Sequence, residues 1–133
     1  MNPVLFAGAL LGLLSVMIGA SAEHLLKPNV DAEVWRWTLT AIRYHQIGAL
    51  AVLALGLAWA APLRPLFRRW LGVSATLFVL GTVLFSFSIY AAAVTGMESL
   101  TLITPIGGTV LMAAWASLIW AALRHGRVPD SDA

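Results

Sequence analysis

There is no cysteine among the 133 residues. Disulfides, thiolate metal sites and cysteine nucleophiles are therefore excluded, and the redox compartment leaves no trace in the chain. Charge is almost as scarce. Eight basic and six acidic residues make up 11% of the sequence, where an ordinary soluble domain carries about a quarter. No acid or base stands in the middle of an apolar run, so no proton relay or counter-ion pair is evident within a span. The chain also lacks a Ser, His and acid grouping, paired carboxylates within a run, and metal-ligand spacing of His and acid residues. The net charge of +2 is spread over the ends of apolar runs, which gives no nucleic-acid groove.

What the chain has in excess is apolar surface: 60% of residues are hydrophobic and the mean hydropathy is +0.87. A soluble domain of this size exposes too much of itself to hide such a composition, whereas lipid removes the conflict. The expected fold is all-α, an integral membrane four-helix bundle forming one domain, with spans at about 3–22, 44–63, 71–94 and 105–123. Each is close to the roughly 20 residues that cross a hydrocarbon core of about 30 Å. The second span extends back as a helix to residue 31, with Asp31 as N-cap, Glu33 in the first turn and Pro28 as the breaker ahead of it. Trp35, Trp37 and Tyr44 suit an interfacial aromatic belt. Thr104 is the expected N-cap of the fourth span and Pro105 its first helical residue. Ala20-Ser21-Ala22 resembles a signal-peptidase site. The run before it is longer than a usual signal core of about 7 to 15 residues and has no basic lead, so retention is expected.

Basic residues set the expected orientation. Arg64, Arg68 and Arg69 lie between spans two and three, and Arg124 and Arg127 follow span four, ahead of Asp130 and Asp132. On the other side Lys27, Arg36 and Arg43 are mixed with Glu23, Asp31, Glu33 and Glu98. Both termini are therefore expected in the cytoplasm. Small residues mark packing faces: Gly8, Gly12, Ser15, Gly19 and Ala22 in the first span, Ser74, Gly81, Ser88 and Thr95 in the third, and Gly107, Ala114 and Ala121 with Ser117 in the fourth.

Several elements occur in an order that resembles a known family. Phe85-Ser86-Phe87-Ser88-Ile89-Tyr90, Thr95-Gly96, Thr104-Pro105-Ile106-Gly107-Gly108 and Trp115 are similar to the Phe-Ser-x-Ser-x-Tyr, Thr-Gly and Thr-Pro-Ile-Gly-Gly elements of domain-of-unknown-function family 423, the transmembrane-protein-256-like proteins. The first half departs further. The family's Gly-Ala-x-Gly-Ala-His-Gly-x-Lys stands here as Gly19-Ala20-Ser21-Ala22-Glu23-His24-Leu25-Leu26-Lys27, and its Tyr-Gln-x-x-His as Tyr44-His45-Gln46-Ile47-Gly48, with the histidine displaced. The resemblance implies a four-helix inner-membrane protein and carries no settled activity.

The polar residues that could carry function gather, on this reading, at the outer interface: Glu23 and His24 after the first span, Arg43, Tyr44, His45 and Gln46 at the start of the second, and Glu98 after the third. In the structural reading, Glu23 or Glu98 pairs with Arg43 and the histidines bind carbonyls or headgroups. In the functional reading, Arg43, Tyr44 and His45 hold a quinone or lipid headgroup, or His24 and His45 ligate a haem axially. Thr104, Gly107 and Gly108 offer either an anion-accepting helix start or tight packing against Ser86, Ser88 or Tyr90. His125 falls on the opposite side of the membrane. No cofactor is required. Three functions remain: an accessory or structural subunit of a larger membrane complex, which the sequence favours, an outer-face ligand-binding module, and a small channel or transporter. Lipid and other membrane subunits are the expected partners. Changing Arg64, Arg68 and Arg69 together to Glu should weaken or invert the orientation, read as a gain of periplasmic signal from a C-terminal alkaline phosphatase fusion.

Overall fold

The computed structural model describes residues 1–125, and Arg127, Asp130 and Asp132 lie outside the described residues. It contains five α-helices, α1 (Pro3–Ser21), α2 (Ala32–Ala58), α3 (Pro65–Thr82), α4 (Ser88–Thr95) and α5 (Thr104–His125). A π turn, Val83–Phe87, joins α3 to α4 without a break, so four helical stretches are long and apolar enough to cross a membrane. The protein is an integral membrane protein of four spans. Among the described residues there is no strand.

Helix ends follow from local chemistry. Asn2 caps α1 by accepting from the Leu5 N–H at 3.0 Å, with Pro3 in the first turn, and its side-chain amide donates to the Gly56 carbonyl at 2.8 Å. One residue thus starts the first span and fastens it to the end of the second. Asp31 caps α2, accepting from the Val34 N–H at 2.8 Å. Gly96 ends α4 in the left-handed conformation (φ 71°), its N–H returning to the Ala92 carbonyl, a geometry that carries no steric penalty in glycine. The first span does not stop at residue 22. It loosens into a π turn at Ala22–Leu26 and a 3-10 turn at Lys27–Asn29. Thr104 differs from expectation as well. It is already helical, continuing from the 3-10 turn Glu98–Ile103, and its hydroxyl meets the Ser88 hydroxyl at 2.8 Å instead of capping.

The spans run antiparallel in sequence order and form two tight hairpins, α1 with α2 and α3/α4 with α5, joined along α2 and α3. Helices can approach closely only where side chains vanish. A Cβ on Gly8 would lie 2.7 Å from the Leu53 Cα, and one on Gly107 would lie 2.7 Å from the Leu84 carbonyl carbon and the Phe85 Cα. At these positions backbone packs on backbone. The seam between α3 and α5 is polar at both ends, with the Ser74 and Ser117 hydroxyls 2.6 Å apart and Ser88 on Thr104. Ala114 is fully buried in it. Not all of the expected small-residue face is used: Gly12 has no neighbour within 4 Å of its Cβ direction, and Gly19 meets only the Ile42 side chain, at 3.8 Å.

Burial is uneven. Within the most apolar stretch of each span, 39% is buried in the second and third but only 17% in the first and 22% in the fourth, so the outer spans present most of their surface to their surroundings. Toward the end that carries the N-terminus and the close of α5, Leu11, Val52, Leu55, Leu71, Phe78 and Leu111 make a continuous apolar core, with Phe78 edge-on to Trp115 at 4.9 Å. The opposite end, formed by residues 22–31 and 96–103, is termed the cap end.

Gly107→Ala should cost about 1–3 kcal/mol, because the backbone beneath it cannot yield. Gly108→Ala, where the nearest atoms are the Phe85 ring at 3.7 Å, should be neutral within roughly 0.5 kcal/mol. Unfolding of the two variants in mixed micelles by added SDS distinguishes them.

Candidate functional site

The residues singled out from the sequence do not form one cluster. His24 is exposed on the π turn that ends the first span, where Glu23 pairs with Lys27 and not with Arg43, and Lys27 also lies 5.3 Å over the Trp35 ring. Arg43 is exposed and has no ion pair among the described residues. Tyr44 is half exposed and tilted against Phe85 at 4.9 Å. His45 departs most from expectation. It lies in the middle of α2 with no exposed surface, so it opens onto no space shared with His24.

What encloses His45 is the far side of the π turn. Its Nδ1 lies 3.3 Å from the Tyr90 hydroxyl, its ring is 5.2 Å from that of Phe87, and the Leu11 backbone on α1 lies beside it. Nε2 makes no well-aligned hydrogen bond, the Leu11 backbone being the polar group beside the ring. A π turn inserts one residue and rotates the following side chains by about 100° relative to an unbroken helix. Here it directs Ser86 to donate to the Ala41 carbonyl at 2.9 Å and turns Phe87 and Tyr90 toward His45. Thr82, at the start of the turn, packs into the space left by Gly48, and its buried hydroxyl is also unpartnered. Thr38, His45, Thr82, Ser86 and Ser88 are the buried polar groups of the cap half, separated from the buried Ser74 by the apolar core around Phe78.

Two lateral grooves flank this interior. The first, about 690 Å³, lies between the end of the first span, Thr38 of α2, and Tyr90, Ala93 and Val94 of α4. It meets a polar mouth of about 450 Å³ at the cap end, which shares Asn29, Val30, Ala93 and Val94 and adds Asp31, Trp37 and Glu98. The second groove, about 680 Å³, lies on the side facing α5 and brings together Tyr44, Gly48, Phe85, Gly108 and Trp115. Neither histidine lines these spaces. Thr104 lines a smaller hollow with Trp37 and Pro105, Gly108 lines the second groove, and Gly107 packs against the π turn. Tyr90, which the sequence reading treated only as part of a packing motif, is the residue that links His45 to the first groove. The signal available for it was one of only two tyrosines, placed within an otherwise apolar run.

A model of a protein family of unknown function, DUF423, matches residues 18–108. The chain belongs to this family. It is similar to the UPF0382 inner membrane protein YgdD of Escherichia coli K12, 32% identical over 124 residues that cover 93% of this chain and 92% of that protein. A UPF0382 membrane protein of Haemophilus influenzae is 33% identical over 123 residues, covering 92% and 95% of the two chains. The Bacillus subtilis UPF0382 membrane protein YwdK is 29% identical over 133 residues, covering 94% and 99%. No solved structure matches. In family terms, the Thr-Gly element is the left-handed stop of α4, and the Thr-Pro-Ile-Gly-Gly element places Gly107 on the π turn formed by the Phe-Ser-x-Ser-x-Tyr stretch.

The two buried hydroxyls that face α2, one bonded to the Ala41 carbonyl and one packed on Gly48, make opposite predictions. Ser86→Ala should lose about 0.6–1 kcal/mol with its hydrogen bond. Thr82→Val, of similar shape and without the unpartnered hydroxyl, should be neutral or gain up to about 1 kcal/mol, measured by the same SDS titration.

Proposed function

We propose that this integral inner-membrane protein is a binding module for a lipid-soluble molecule, held in the groove beside Tyr90 and reached from the cap end. By the distribution of Arg64, Arg68, Arg69 and Arg124, the cap end faces away from the cytoplasm. The observation that carries the reading is the continuity of the apolar groove of about 690 Å³ with a polar mouth at the membrane surface. A groove filled only by bulk acyl chains has no need of a mouth lined by Asn29, Asp31, Trp37 and Glu98, whereas a selective site combines an apolar wall with a few convergent polar groups. The polar interior ends at the apolar core around Val52, Leu55 and Phe78, an arrangement that suits binding better than conduction.

A second reading, the accessory subunit, is favoured by the first span, 17% buried and open at Gly12. A partner helix could approach closely there. Native mass spectrometry from mild detergent separates the two: a retained small molecule supports the module, and a retained protein chain supports the subunit. If the groove is the site, Ala93→Trp, which fills it, should abolish retention of the small molecule while the protein keeps its helical circular dichroism.

A further inference from the structure

We infer that the groove beside Tyr90 takes an isoprenoid quinone, with the Tyr90 hydroxyl, set by His45, as its hydrogen-bonding anchor. The inference rests on the binding-module reading and goes a step further by naming the ligand. His45 is enclosed on all sides, and apart from Tyr90 the one polar group beside its ring is the Leu11 backbone, with which Nε2 forms no well-aligned hydrogen bond. A polar ring held only by one phenol and a poorly aligned backbone group is costly in an apolar interior. Its other nitrogen reaches the one phenol that opens onto the groove.

Charge restricts the ligand. Among the described residues lining the groove itself none is charged, so a carboxylate, phosphate or ammonium at the depth of Tyr90 would be buried without a counter-charge. The ligand's polar group at that depth is neutral. A neutral imidazole has two tautomers, and each gives Tyr90 a different role. With the proton on Nδ1, His45 donates to the phenol oxygen and the phenol hydrogen is free for a ligand carbonyl. With the proton on Nε2, Nδ1 accepts from Tyr90, and the phenol oxygen is left to accept from a ligand hydroxyl. The same pair thus receives a quinone or its hydroquinone, which differ at that oxygen by acceptor against donor. A plain acyl chain would use neither. The volume admits a substituted ring, with Met17 and Ala93 on its walls and the tail leaving between the spans into the bilayer.

The test titrates the purified protein in dodecylmaltoside with decylubiquinone and follows quenching of its tryptophans. Saturable quenching is expected, weakened roughly tenfold or more by Tyr90→Phe and unchanged by Tyr44→Phe in the second groove. Tyr90→Phe removes one oxygen atom, and unaltered circular dichroism and thermal unfolding establish that it still folds. Should it not fold, Thr38→Val, which alters the same wall, replaces it with the same expected direction. Quenching that tracks partition into micelles, or wild-type affinity in a folded Tyr90→Phe protein, overturns the inference, as does equally strong competition by palmitate or dioctanoylglycerol. If a co-purifying lipid is lost in Ala93→Trp while decylubiquinone does not bind, the module reading stands and the quinone is wrong. If neither is observed, both readings fall.

Discussion

The arrangement of the cap half depends on the contact between Gly107 and the backbone of the π turn at Val83–Phe87. Lipid gives helices no hydrophobic reason to associate, so close backbone approach, with the dispersion it allows, supplies much of what holds spans together. A π turn widens the helix locally, and a glycine on the facing helix is what lets that widened backbone be covered. Once the third span is bent into this register, Ser86, Phe87 and Tyr90 all face α2. The interior of the cap half follows from that single local deviation from α-helical geometry.

A second constraint acts through polar groups with no water available to them. Most hydroxyls within the spans resolve it locally by bonding to the carbonyl a turn earlier, as Thr38, Thr76 and Thr109 do, and these side chains need no functional explanation. His45 and Thr82 do not. They lie on either side of the junction between the two hairpins, where the contact of α2 with α3 is less extensive than the contact within each hairpin. Unpaired polar atoms at the least tightly held seam of a membrane protein are the expected marks of a site, because stability alone would have removed them.

The two ends of the molecule do different work. At the terminal end the arginines act as anchors, Arg68 bonding to the Ala61 carbonyl and lying over Trp59, and Arg124 lying over Trp120. At the cap end charges pair with near neighbours, Lys27 with Glu23 and Arg36 with Glu33, so the carboxylates of Asp31 and Glu98 remain to line the mouth. Exposed pairs of this kind contribute little to stability. Their consequence is the polarity of the entrance.

Composition and pattern alone determined that the chain crosses a membrane with four helices, because apolar runs of that length admit no other element in lipid. Asp31 as a cap, and Ser74 and Ser88 as members of one packing face on the third span, were legible for the same reason: each depends on neighbours in sequence or on helical periodicity. Depth and facing were not. Tyr44 and His45 are adjacent in sequence, yet one faces lipid and the other is sealed inside, because helical geometry turns successive side chains by about 100° and only the partner helices decide which direction is the interior. Tyr90 was read as part of a packing motif, since a π turn has no sequence signature and its effect on the residues after it appears only when the third span lies against α2 and α5. The sequence by itself determines that four apolar helices cross the membrane and that Asp31 caps the second, since these depend only on run length and on a side chain bonding three residues ahead. The tertiary structure decides that a histidine expected at the surface is instead the buried partner of a tyrosine that opens onto a groove.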